Sequence, residues 1–198
     1  MSNDGVNKGR RKFLIGSTAA VGTVCAGFAA VPFVGSWNPS AKAKAAGAPA
    51  RININKLAKG EMMVGEWRGK PIYVVRRTQE TLDNLSKMDD QVRDPNSAEP
   101  QQPVYAQNHS RARNEEYLVL IGICTHLGCA PQFRPEVGAA DLGGENWFGG
   151  FYCPCHGSKF DLAGRVLKGV PAPTNLEVPP YSFESDHVLV IGIDEETA

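Results

Sequence analysis

The pattern of apolar and polar positions divides the chain into two unlike parts. Residues 13–34 carry no charge, a run of about twenty residues and roughly what is needed to cross the hydrocarbon core of a bilayer. Beyond Arg51 the apolar positions come instead in short runs. Residues 51–55, 61–67 and 71–77, with a turn around Gly69, predict the start of an antiparallel sheet. Thr78 is placed to cap a helix whose apolar face is Thr81, Leu82 and Leu85, so a turn or two is expected to end near Met88. Residues 89–114 are polar and rich in Pro, Asn and Gln, and predict a surface loop with His109 exposed on it. Residues 117–123 are strongly β-prone, and residues 181–183 and 187–193 read as closing strands, with His187 at the surface and without chemistry.

Ser36-Trp37-Asn38-Pro39 has the character of an interfacial helix end, with an indole at headgroup level and a proline that does not continue the helix easily. Residues 38–50 read as a flexible hinge, of which residues 41–50 are a Lys/Ala/Gly linker. As flexible coil, residues 41–50 would span roughly 17–19 Å root-mean-square and at most about 35 Å extended; alternatively Ala41–Ala46 prolong the helix, which alanine favours.

Charge adds little on the whole and much locally. Lys and Arg number 21, as do Asp and Glu, so nothing points to nucleic acid as a partner. The N-terminal end, however, reads Lys8-Gly9-Arg10-Arg11-Lys12 directly before the apolar run. Basic residues there leave the N-terminus cytoplasmic and the rest of the chain outside. The arginine pair resembles the twin-arginine export signal, used for proteins exported already folded. A cleaved signal peptide is the competing reading, since Ala-Lys-Ala-Lys-Ala-Ala imitates a small-residue cleavage site, but the apolar run is longer than a usual signal core. Retention as an anchor is the expectation, and Cys25 within it is expected only to pack.

Chemistry concentrates in two short loops, Cys124-Thr125-His126-Leu127-Gly128-Cys129 and Cys153-Pro154-Cys155-His156-Gly157-Ser158. They hold four of the five cysteines and two of the four histidines. The 130–150 spacer, with Gly138, Gly143, Gly144, Gly149 and Gly150, reads as a flexible insertion anchored by Trp147 and Phe148. Lys159-Phe160-Asp161 with Gly164 reads as a turn leading out, and Pro171-Ala172-Pro173 as a stiff extended segment. Three readings compete for the six Cys and His residues. Zinc would want four tetrahedral ligands, and these spacings are unlike the usual Cys-x-x-Cys knuckles. Disulfides alone leave the histidines unexplained. The third reading is an iron-sulfur cluster with mixed ligation.

The two loops resemble those of the Rieske family very specifically, and the resemblance runs from the twin arginines to the C-terminal strands, as in the iron-sulfur subunits of bacterial ubiquinol-cytochrome c reductases. It implies a single N-terminal transmembrane helix (residues 13–37, after a cytoplasmic segment 1–12) and an all-β domain of antiparallel sheets over 51–198, with a small cluster-binding subdomain at about 118–174. It further implies one 2Fe-2S cluster per chain, with Cys124 and Cys153 on the inner iron and His126 and His156 on the outer one. Cys129 and Cys155 are then left to form a disulfide over the cluster, and Ser158 matches the family serine that bonds to a cluster sulfide.

Two neutral imidazoles in place of two thiolates raise the reduction potential into a range of roughly −150 to +300 mV, within reach of a quinol. Imidazole also has a second nitrogen that can carry a proton, so electron and proton uptake become coupled at His126 or His156. What the resemblance implies about setting is a periplasmic head on the bacterial inner membrane, in a dimeric complex. Ubiquinol bound at cytochrome b is the implied donor and a c-type cytochrome the acceptor, with Leu127 at an apolar docking tip.

Two residues depart from the pattern. Phe160 stands where many ubiquinol-oxidising members have Tyr, and Gly169-Val170-Pro171-Ala172-Pro173 stands where Gly-Pro-Ala-Pro is common. Other readings within the same chemistry are the anchored small subunit of another periplasmic oxidoreductase, resembling arsenite oxidase, and a soluble Rieske ferredoxin. The ferredoxin reading is disfavoured by the apolar span and by Cys129 and Cys155.

Overall fold

The computed structural model describes residue 5 and residues 7–194. The chain forms two compact units, Met1–Ala45 and Ala46–Ala198. The first is built on one helix, α1 (Lys8–Ser36), of 29 residues and about 43 Å long. The helix begins five residues before the apolar run because Asn7 caps it: the Asn7 side chain accepts the N–H groups of Gly9 and Arg10, each at 3.1 Å. None of its residues is buried against protein, and it is long and apolar enough to cross a membrane. Two of its hydroxyls bond back within the helix, Thr23 donating to the Ala19 carbonyl and Ser36 to that of Phe33. After a break at residues 37–40, Ser40 accepts the Ala43 N–H and starts α2 (Ala41–Ala46). The 38–50 segment thus carries a short helical stretch of its own.

The second unit is built of three three-stranded antiparallel sheets. β1 (Ala50–Asn53) pairs with β9 (Val188–Ile191), which pairs with β8 (Tyr181–Ser185). β2 (Met62–Trp67), β3 (Lys70–Arg76) and β4 (Tyr117–Ile121) form the second sheet in chain order. The third consists of β5 (Gln132–Arg134), β6 (Gly150–Tyr152) and β7 (Lys159–Asp161). Every residue of β4 is buried, which is why its run shows no alternation: both faces of the strand are covered. Thr78 caps α3 (Gln79–Leu85) through its hydroxyl, and a 3-10 turn carries the chain on to Met88.

Three expectations fail here. The 130–150 spacer is not flexible throughout: it contains a strand, β5, while the expected anchor holds, Trp147 being 1% exposed in a satellite cluster with Met88, Val92, Leu142 and Leu167 against which Phe148 packs. Lys159–Asp161 is a strand rather than a turn; the turn follows it, closed by Gly164 N–H to the Asp161 carbonyl. The 89–114 segment is polar but not superficial, since Val92, Ser97, Ala106, Arg111 and Ala112 are all buried.

The reason is a set of buried arginines that hold the third sheet onto the rest. Arg77, at the end of β3, donates to the carbonyls of Glu115, Ser110 and Leu162. Arg111 reaches the carbonyls of Ala163 and Leu176, and the Gln102 side chain. Arg165 pairs with Asp161 at 2.7 Å and with Asp89 at 2.7 Å, and donates to the Leu85 carbonyl at the end of α3. Burial pushes the guanidinium groups of Arg77 and Arg111 down to about 10, low for arginine yet still charged at neutral pH.

Candidate metal centre

The two motif loops are the same turn built twice. β4 delivers the chain to the first, and β6 to the second. In the first, Cys124 N–H donates to the Cys129 carbonyl (2.7 Å) and Gly128 N–H to the Cys124 carbonyl (3.0 Å). In the second, Cys153 N–H donates to the Ser158 carbonyl (2.8 Å) and Gly157 N–H to the Cys153 carbonyl (2.9 Å). Each turn therefore points the sulfur of its first cysteine inward, where Cys124 and Cys153 are both 2% exposed. The histidines fall at different places in the two turns, yet the fold brings them together. The rings of His126 and His156 lie edge to face with centroids 4.7 Å apart, His126 half-buried and His156 exposed.

Cys129 and Cys155 form a disulfide between the loops. Their sulfurs and that of Cys153 lie within 4.8 Å of one another, but bonded sulfurs are not metal ligands, so this trio is no chelate. The unpaired thiols of the head, among the described residues, are Cys124 and Cys153. Burial pushes the Cys124 thiol up, and neighbouring Cys153 adds to this, while the backbone N–H of His126 and the Ser158 hydroxyl act the other way. Two adjacent thiols at the inner side and two imidazoles at the outer side are the donor set that a 2Fe-2S cluster of mixed ligation needs, and the residues present fit it. Zinc is less well matched, because the thiols are buried and the imidazoles lie further out, and the motif spacings are unlike the usual Cys-x-x-Cys knuckles.

Around the set, Ser158 is fully buried and its Oγ accepts the Ala172 N–H at 3.0 Å, which leaves its own proton free to be donated. Phe160 is fully buried on β7. Leu127 is 72% exposed beside His126, at the outer tip. His109 lies apart from the site and pairs with Asp89 at 2.9 Å, and His187 is exposed in the turn just before β9. One contact was not apparent from composition: Thr125 Oγ1 donates to the Thr174 carbonyl at 2.7 Å, tying the first loop to the segment that follows Pro173. Its position between Cys124 and His126 was the available signal.

The family described as the Rieske 2Fe-2S domain matches residues 50–181, and that of the ubiquinol-cytochrome c reductase iron-sulfur subunit signal matches residues 1–40. The chain belongs to the Rieske iron-sulfur subunits. It is 55% identical over 198 residues to the ubiquinol-cytochrome c reductase iron-sulfur subunit of Allochromatium vinosum, covering 100% of this chain and 95% of that one. It is 40% identical over 183 residues to the subunit of the same description from Bradyrhizobium diazoefficiens, covering 92% and 94%. Among solved structures, a chain of a hyperthermophilic respiratory Complex III aligns at 26% identity with a TM-score of 0.49, over 89% of this chain and 98% of that one.

Proposed function

We propose that this chain is the electron-carrying subunit of a quinol-cytochrome c reductase, taking an electron and a proton from ubiquinol at cytochrome b and giving the electron to a c-type cytochrome. The observation that carries the reading is the graded donor set. Two thiols are sealed to 2% exposure behind two imidazoles that share the outer face, with a disulfide locking the loops that bear them. In this reading Cys124, Cys153, His126 and His156 hold a 2Fe-2S cluster, which when bound supplies a one-electron acceptor of moderately high potential.

The residues of the chain do the rest. An imidazole that binds metal through one ring nitrogen keeps the other free to accept a hydrogen bond from a quinol hydroxyl and then to hold its proton. His156, the more exposed ring, is the better placed of the two. Leu127 gives the tip an apolar surface that sheds water when it meets a partner. Ser158 and the buried Phe160 set the polarity at the inner side.

α1 anchors the chain in the inner membrane with its basic end cytoplasmic and the head in the periplasm. Residues 38–50 tether the head so that it can move between donor and acceptor within a dimeric complex. The small-subunit reading of the arsenite-oxidase kind finds no support in the near-full-length similarity to quinol-cytochrome c reductase subunits.

The test is isolation of the complex from membranes. Copurification with haem-bearing cytochrome b, and a reduced-state electron spin resonance signal lost in both His126→Ala and His156→Ala, are expected. A colourless chain containing zinc, or a molybdenum partner in place of cytochrome b, would overturn the reading.

A further inference from the structure

The segment that closes over the ligand loops, residues 169–174, is poor in hydrogen-bond donors. Pro171 and Pro173 have no N–H, and the Ala172 N–H is already committed to Ser158 Oγ. The segment's carbonyls are held from outside instead. Arg93 Nη1 donates to the Pro173 carbonyl at 3.1 Å, and Arg93 Nη2 approaches the Val170 carbonyl at 3.4 Å. One guanidinium thus spans the loop from entry to exit, and its entry prong falls on Val170, the residue by which this loop departs from the common Gly-Pro-Ala-Pro.

The arginine is itself fixed in place. Its N–H donates to the Val166 carbonyl at 2.9 Å, Val92 is bridged to Leu167, and Lys168 N–H donates to the Gln91 carbonyl at 2.8 Å. Residues 91–93 and 166–168 therefore form a short antiparallel ladder that ends where the proline segment begins. From that segment two bonds run to the ligand loops, Ala172 N–H to Ser158 Oγ and Thr125 Oγ1 to the Thr174 carbonyl.

We infer that Arg93 is a positioning residue for the redox centre. It clamps the proline loop between Val170 and Pro173, so that the Ala172 N–H holds Ser158 Oγ and leaves the hydroxyl proton for a sulfur of the centre. A hydroxyl donating to a sulfur that holds iron favours the reduced state, so a loosened loop lowers the potential. A lysine supplies one point charge and cannot span both carbonyls, so it restores the function only in part. The Arg93 side chain is exposed, and its truncation leaves the core as it is.

The inference rests on the proposed ligation by Cys124, and the experiment separates the two. In the full-length protein solubilised from membranes, the midpoint of the cluster signal is titrated in Arg93→Ala, Arg93→Lys, Ser158→Ala and the Arg93→Ala/Ser158→Ala pair. Amide exchange is followed in peptides spanning 168–176. Arg93→Ala is expected to lower the midpoint by less than Ser158→Ala does, to add nothing to it in the double variant, and to speed exchange at Ala172 at least tenfold, with Arg93→Lys in between. An unmoved midpoint in Arg93→Ala, a shift that adds in full to that of Ser158→Ala, or unchanged exchange overturns the inference. If Ser158→Ala leaves the midpoint unmoved while exchange at Ala172 still rises in Arg93→Ala, the ligation reading fails and the clamp alone survives. Should the alanine variant not assemble, Arg93→Lys carries the same comparison.

Discussion

Gly128 and Gly157 occupy the same position in the two ligand loops, each donating its N–H to the carbonyl of the cysteine four residues before it, at φ of 86° and 76°. A β-carbon at either place would meet nothing within 4 Å, so the constraint on these residues is backbone conformation and not space. The left-handed region costs an ordinary residue about 1–2 kcal/mol. Gly128→Ala and Gly157→Ala are each expected to lower stability by about that amount without abolishing assembly. The thermal loss of visible absorbance should move down by roughly 2–8 °C for each, and equal losses at both sites would reflect the shared geometry.

The disulfide between Cys129 and Cys155 joins the loops across a sequence separation of 26 residues, and a closed loop of that size contributes about 3 kcal/mol. Cys129→Ser should therefore keep the cluster at low temperature and lose it on mild heating. Cys124→Ser, which removes a buried thiol from the donor set itself, should prevent assembly at any temperature. Iron content measured directly after purification and again after a heating step distinguishes them, and equal loss at the first measurement would remove the division between ligand and cross-link.

Much of the site could be read from the chain because its chemistry is local. Two hexapeptides carry six of the nine Cys and His residues, and the β-prone run before the first one is the strand that supports it. The cap at Thr78 was equally legible, since a side chain and a backbone N–H three residues on decide it. The 89–114 segment was not. Its burial depends on Arg77, Arg111 and Arg165 donating to backbone carbonyls far away in sequence, and composition sees only polar residues. The strand at Lys159–Asp161 was hidden for a related reason: Asp161 faces Arg165 inside the protein, while a charged residue before a glycine-bearing turn reads as surface. Arg93 carries no signal in the sequence, because its partners are two backbone carbonyls of the proline loop more than seventy residues away.

Phe160 offers a test of how the inner side sets the potential. The ring is fully buried on β7, so a hydroxyl introduced there must find an acceptor within the protein or remain unsatisfied. In Phe160→Tyr the expected acceptor is a ligand cysteine sulfur, which would stabilise the reduced state, and the midpoint should rise. If the hydroxyl points elsewhere, the midpoint stays put and stability falls by about 1–3 kcal/mol instead. A redox titration and a thermal melt on the same sample decide between the two.

Arg165 separates a buried ion pair from a half-exposed one within a single side chain. Its Nε meets Asp161 where the two side chains are 0% and 1% exposed, and its Nη1 meets Asp89, which is 41% exposed and also pairs with His109. Asp161→Asn leaves a buried guanidinium short of its charge partner and should cost about 3–5 kcal/mol. Asp89→Asn faces water that compensates the loss, so about 1 kcal/mol or less is expected.

The pH dependence follows from Asp89. Partial burial works against its charge, but the bonds from His109 and Arg165 prevail and hold its carboxyl below the usual range. A carboxyl lowered in the folded state stabilises the fold above its unfolded value, about 3.9, and that contribution is lost as pH falls through the folded value. Acid unfolding curves of the wild type and Asp89→Asn should therefore differ by a small amount above about pH 5, start to approach one another near the unfolded value of about 3.9, and converge only below the lower folded value. A gap that persists in strong acid would show that Asp89 acts through packing and not through its charge.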